Sequence, residues 1–403
     1  MRILNLFFVP LIIIGCNNSS TSRFSDLQIE SVHANDAKEI SAKAQISHQI
    51  DLSEFIEDSQ YDFNEILDTV KLIFLDDCDN ESLIGIIREI LITKDYIYIV
   101  DEIGNNKNIA IFDLNGKFVK RLKKGNGPGE IYRIESINYN DYTKQLVVQQ
   151  GHMLYFYTAD GNYIKVENVP FAFQEFAFTK DGYIFYQRAS FINQHLLVHK
   201  QKSILFTDLA FKLDSSALPM KFAGVGKIGR YIMNFDKELL ITRPLCDTIY
   251  SYNYETGNLI AKYIINIGKQ ELDQTILSTN DMTDRLTVEN SLSKKNQVYF
   301  LGEFLETTTH LFFRIRGSNT YYNIYYDKIS GHKMGGNTVS CYDIPNITDP
   351  YYVGKDWFIV PIYDYEKGTK LPDRYITDAD NERISQLDED SNPTLFLFKL
   401  KHF

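Results

Sequence analysis

Tryptophan occurs once and cysteine four times in 403 residues, and neither is arranged for chemistry. There is no Cys-x-x-Cys pair, so neither a thioredoxin-like redox site nor a cysteine zinc ribbon is encoded. No block of like charge exceeds a few residues and the net charge is −11, so the chain lacks the basic face that a nucleic-acid backbone requires. His152, His195, His199, His310 and His332 form no HExxH motif. His195 and His199 are four apart in a segment that reads as strand, where such residues stand about 13 Å apart. The reading is therefore no metal and no cofactor. Proline is scarce, 10 against 22 glycines, while Tyr and Phe number 27 each. That balance suits half-buried strands joined by tight turns, an all-β composition.

The opening "MRILNLFFVPLIIIGC" has Arg2, an apolar run from Ile3 to Ile14, then Gly15 and Cys16. About a dozen apolar residues is too short to span a bilayer as a helix and fits a cleaved export signal, residues 1–16. Its Ile-Ile-Gly-Cys ending resembles a bacterial lipobox, which implies lipidation of Cys16 and a membrane anchor. Residues 17–60 are polar and carry no sustained apolar period, so they are expected to be a flexible tether. Cys78, Cys246 and Cys341 remain; three thiols allow at most one disulfide.

From residue 61 onward one phrase recurs: "KDYIYIVD" at Lys94, "KQLVVQQ" at Lys144, "DGYIFYQ" at Asp181, "KELLITR" at Lys237, "NQVYFLG" at Asn296 and "KDWFIVP" at Lys355. Their first strand residues are spaced by 50, 37, 56, 59 and 59, the range in which four-stranded propeller blades repeat. A first strand precedes each copy, from "REILIT" at Arg88 to "PYYVG" at Pro350. A third follows, including "HLLVHK" at His195 and "HLFFRI" at His310. A fourth strand follows in five units, including "GKFVKRL" at Gly116, "GNYIKV" at Gly161 and "GNLIAKYI" at Gly257, where glycine with Asn or Asp supplies a hairpin turn. The sixth unit lacks its fourth strand, while "VKLIFLD" at Val70 stands unmatched at the front. Pairing the two would close a six-bladed β-propeller spanning 61–403 and hide both edges.

On "YIYIVD", "IAIFDLNGKFVKRL", "GNGPGE", "DTIYSY" and "NPTLFLFKLK" the chain resembles the six-bladed β-propeller lipoproteins of Bacteroides-type bacteria, related to NHL-repeat propellers. The resemblance implies an envelope protein, on either the periplasmic or the surface face of the outer membrane. Such a protein would bind a glycan, a peptide or an envelope partner. Propeller hydrolases, which share the fold, hold a divalent metal in the central channel; a channel-based hydrolase or lyase is the alternative.

"GNGPGE", Gly125 to Glu130, invites a phosphate-binding reading, but strand-like sequence rather than a helix follows, and no Lys-Ser or Lys-Thr completes a P-loop. No nucleotide is expected. Gly125, Gly127, Pro128 and Gly129 read instead as a crossing turn from one blade's rim to the next blade's centre. The run Lys120, Arg121, Lys123 and Lys124 reads as a solvated outer strand. The acidic stretch at Asp76 lacks the glycine and glutamate of a Ca²⁺ loop, and the one from Asp378 to Asp390 reads as an exposed insertion in the last blade. Channel contacts are sought in Arg88, Glu130, Glu135, Glu175, Arg230 and Glu289, with Arg133, Arg188 and Arg243 as further anion contacts. None of these sits in a motif that specifies a reaction, so binding outranks catalysis.

Overall fold

Every residue of Gly182–Gln187 is buried, and so are six of the seven in Thr394–Leu400. Strands with no exposed face must be covered on both sides, which happens when sheets stack face to face around an axis. The computed structural model describes residues 32, 34–55, 60–103, 106–187, 193–220, 230–268, 298–317, 320–340, 350, 352–354, 356–363, 371–388 and 390–403. Within them lie six four-stranded antiparallel blades, a six-bladed β-propeller.

Blade 1 comprises Ile86–Ile92, Tyr96–Ile103, Asn106–Asp113 and Phe118–Arg121; blade 2 Ser136–Asn140, Gln145–Gln150, Met153–Thr158 and Tyr163–Asn168. Blade 3 comprises Phe173–Phe178, Gly182–Gln187, Lys202–Asp208 and Leu213–Pro219; blade 4 Ile232–Phe235, Glu238–Ile241, Thr248–Asn253 and Leu259–Asn266. Blade 5 comprises Tyr299–Glu306, His310–Arg316, Tyr321–Asp327 and Lys333–Gly336. Blade 6 takes Tyr352–Gly354, Trp357–Ile362 and Thr394–Leu400, and completes itself with Leu67–Phe74 from the front of the domain. The first strand of each blade lines the axis and the fourth lies at the rim.

The expected closure is present. Thr394–Leu400 pairs antiparallel with Leu67–Phe74, with Phe396 opposite Leu72. Buried Asn392 sews the same seam, donating to the carbonyls of Asp76 (2.7 Å) and Ser82 (2.8 Å) and accepting the Ile84 N–H at 2.7 Å. Apolar clusters fill the spaces between blades; Phe63, Tyr325, Phe358 and Phe398 interlock between blades 5 and 6.

Three details depart from expectation. "HLLVHK" is not a strand: Gln194–Gln201 is 3₁₀ helix broken at Leu197 (φ 52°), and the third strand of blade 3 is Lys202–Asp208. Blade 5 is shifted by one strand, because "NQVYFLG" runs into its first strand rather than its second, and "HLFFRI" is the second. The acidic stretch at Asp378 is a helix, Asp378–Ser385, capped by Thr377 and Asp380 and burying Asn381 and Ile384.

The segment expected as tether also contributes to the ring. Lys38–Ile40 adds a parallel strand to the rim of blade 3, and Lys43–Asp51 does so to blade 4. Gln60–Asp62 pairs with Thr338–Ser340 beside blade 5. The polar composition of this arm suits rim strands, since only one face meets the protein; Ile50 and Leu52 nevertheless sink into the core between blades 4 and 5. Leu52→Ala is therefore expected to destabilise the domain by about 2–5 kcal/mol. Denaturant unfolding reads this directly, and an unchanged midpoint would mean that the arm is not docked in solution.

Candidate functional site

The six first strands enclose a cavity of about 1050 Å³ on the propeller axis. Its walls are apolar and aromatic at Tyr139, Phe235, Phe304, Tyr352 and Trp357, and charged at Arg88, Glu89, Lys107, Glu135, Arg230, Glu303 and Arg314. Bulges interrupt the inner ladders of blades 1, 3 and 5, between Ile87 and Glu89, Phe173 and Glu175, and Phe300 and Phe304. Such bulges re-aim side chains beside binding sites. In blade 5 the bulge contains Gly302 at φ 91°, where an added Cβ would lie 2.9 Å from Thr242 Oγ1.

An ion pair crosses the axis. Arg230, at the entry to blade 4, reaches Glu89 of blade 1, three blades away in a ring of six and hence opposite. Glu89 is almost fully buried and Arg230 is half-exposed, so the pair stands where protein gives way to lumen. Arg314 holds Glu303 at 3.2 Å through Oε1, while Glu303 Oε2 is buried without a hydrogen-bond partner. Burial lifts the Glu303 carboxyl above its ordinary range, with Arg314 opposing. The Tyr139 hydroxyl is likewise buried without a partner, and burial raises its phenol. An unmade buried hydrogen bond costs about 1–3 kcal/mol. Two such groups thus stand in the walls of one cavity.

Of the residues sought from sequence, Arg88, Glu135 and Arg230 come together here. Glu175 does not: it is buried between blades 3 and 4, accepting the N–H groups of Tyr231 (3.0 Å) and Ile232 (3.1 Å), a stitch between blades. Glu130 does not line the cavity either; its carboxylate turns back on its own loop to accept the Gly127 N–H at 3.0 Å. Arg133 pairs with Glu135 at 3.3 Å outside the cavity. Arg243 is buried, donating to the Pro219 carbonyl and the Tyr250 hydroxyl. Glu289, Arg188, Cys16 and Cys341 lie outside the described residues. Cys78 and Cys246 are free thiols. Sequence reasoning missed Glu89, Lys107, Tyr139, Glu303, Arg314 and Trp357. Glu89 had a signal, since it follows Arg88 directly, whereas the shifted frame of blade 5 hid Glu303.

Around the glycine motif, Ile131 donates to the Lys123 carbonyl at 3.0 Å and Gly125 to the Ile131 carbonyl at 3.3 Å, which closes a loop between the rim of blade 1 and the centre of blade 2. Gly129 adopts φ 75° against the Tyr163 ring, 2.6 Å from where a Cβ would sit. The N–H groups of Gly125, Gly127 and Glu130 are thus spent on the turn. Arg121 is not solvated: it donates to Asp101 (2.8 Å) and to the Glu81 carbonyl (2.6 Å).

His310, Asp327 and His402 form the one group of three metal-ligand types among the described residues. Its hydrogen bonds make it a latch for the chain's end. His310 must carry its proton on Nε2, because that atom faces the Lys401 carbonyl at 2.9 Å, and Nδ1 then accepts from Thr309. Asp327 accepts from the Ile329 N–H (2.8 Å), from His402 (3.1 Å) and from the Phe403 N–H (3.2 Å). His195 and His199 are similarly engaged, by the Pro170 carbonyl and the Ser216 hydroxyl, each at 2.7 Å.

The family model described as "Domain of unknown function (DUF4934)" matches residues 47–399. The chain belongs to this family. A search of curated proteins finds no match. Among solved structures, a Bacteroides fragilis protein described as a "Putative exported protein" superposes with a TM-score of 0.71 at 16% identity, over 88% of this chain and 100% of that one. A member of the DUF4221 family from Bacteroides vulgatus covers 83% of this chain and 97% of its own, with a TM-score of 0.47 and 10% identity. Likeness at these identities concerns the fold.

The latch carries a pH dependence. Burial opposes the Asp327 charge, but the Ile329 and Phe403 N–H groups and the His402 ring outweigh it, and its carboxyl sits below the ordinary 3.8. A depressed carboxyl contributes stability above its unfolded pKa and loses it as pH falls through the folded value. Asp327→Asn should thus be less stable than wild type at pH 7 by about 1–3 kcal/mol. The gap should narrow below about pH 4. Chemical unfolding across pH checks it; a gap constant with pH would mean that Asp327 charge is irrelevant to the latch.

Proposed function

We propose that this chain is a lipid-anchored envelope propeller that binds a small polar ligand, a glycan or peptide, in its axial cavity. The observation that carries the reading is the cavity itself, whose walls combine aromatic rings with charged side chains. Its volume is of the order of small-molecule sites, roughly 300–1,000 Å³. The lipobox-like Cys16 and the exported relative from Bacteroides fragilis support an envelope location. Binding is favoured over hydrolysis because Glu89, Glu135 and Glu303 are each engaged by an arginine, Arg230, Arg133 and Arg314 in turn.

Trp357 is the sole tryptophan and lines the cavity, so its emission reports occupancy without a label. Titration with neutral and acidic oligosaccharides and short peptides should give a saturable change for at least one class. Turnover of any of them would shift the protein to the hydrolase reading; unmoved emission throughout would remove the cavity as a binding site. For the anchor, Cys16→Ala should release the protein from membranes and abolish incorporation of labelled fatty acid. Continued labelling of that variant would place the lipid elsewhere.

A further inference from the structure

Resting on the reading of the cavity as a binding site, we infer that its ligand carries an oxyanion, which docks on Arg230 with Arg88 and Lys107 around it. The argument is a count of hydrogen-bonding capacity at the end where the first strands begin. A guanidinium has five N–H donors in a planar fork. Arg230 uses Nη2 on Glu89 and Arg88 uses Nε on Glu102, and neither has a further acceptor among the described residues. Lys107 lines the same cavity and has no ion-pair or hydrogen-bond partner among them.

Among the described residues, each carboxylate at this end already faces a basic group. Glu89 meets Arg230, Glu102 meets Arg88, and Glu135 meets Arg133. Lys107 is the cation left over, and the partner that satisfies it together with the open edges of two guanidinium forks is a carboxylate, sulfate or phosphate group. A cationic ligand would find no carboxylate here free of a basic partner.

The crossing pair explains how the site is kept ready. Arg230 would otherwise sample many rotamers; Glu89 draws its head over the lumen from the opposite blade, leaving Nε and Nη1 open. Glu89 is in this sense a positioning residue. An anion that adds to the open edge of the guanidinium need not displace Glu89, whose burial makes loss of its partner costly.

The test uses four probes that share one ring: glucuronate, glucose 6-sulfate, glucose 6-phosphate and glucose, titrated against Trp357 emission with equilibrium dialysis as a second readout. At least one anionic probe should bind at least tenfold more tightly than glucose, and which one does so separates carboxylate from sulfate and phosphate. Raising salt should weaken that preference. Lys107→Gln removes an unpaired lysine and so spares the fold; it and the double variant Arg230→Gln/Glu89→Gln, which removes the crossing pair as a unit, should each cut the anionic affinity severalfold and narrow the preference over glucose. Glu89→Gln alone should weaken anion binding less than loss of Arg230. Equal affinity for all four probes, insensitive to Lys107 and Arg230, would overturn the oxyanion inference while leaving the cavity reading intact. No binding of any probe by either readout would overturn it as well, and an oligosaccharide or peptide that still shifts Trp357 would keep the cavity reading.

Discussion

The ladder between Thr394–Leu400 and Leu67–Phe74 is the constraint on which the remainder rests. Middle strands such as Gly182–Gln187 have no exposed face, so each blade needs two neighbours, and a ring supplies them only when its first and last blades are joined. The join is made at maximal sequence separation, which makes its closure entropy the cost that every interblade contact must offset. The surrounding chemistry is correspondingly dense. Asn392 ties three backbone groups across the seam, and the terminal residues are held by Asp327, His310 and the Ser330 hydroxyl.

Ring geometry then dictates what the axis can hold. Six strand edges converge with their free backbone groups toward a lumen, a place where charge is tolerated because water reaches it. Residues that would repel or wander on a flat surface are brought within reach across the axis, as Glu89 and Arg230 are from opposite blades. The same carboxylate chemistry reads differently a few ångströms away. Glu175 has lost access to the lumen and serves the backbone of Tyr231 and Ile232, whereas Glu135 remains at the wall.

Closure and blade count were legible because they follow from local patterns: runs of β-formers, glycine turns, and one strand missing where another is spare. Errors arose where local pattern and tertiary role diverge. His195 to Val198 looks like a strand, yet Leu197 turns to φ 52° and both flanking histidines bond outward to Pro170 and Ser216. Tyr299–Glu306 has the buried character of a middle strand, but it is the inner strand of blade 5, wrapped over Gly302. The arm at 38–51 reads as linker because a rim strand buries only one side, and Ile50 and Leu52 were too few to mark a period.

What the sequence by itself determined is the architecture, since strand alternation, turn glycines and a spare strand matching a missing one are written in short runs of adjacent residues. Only the tertiary structure decided the site. Arg88, Glu89, Lys107, Glu135, Arg230, Glu303 and Arg314 come from four of the six blades and from positions more than two hundred residues apart. No local spacing can encode a set assembled by closing a ring, because its members become neighbours only through the axis that they surround.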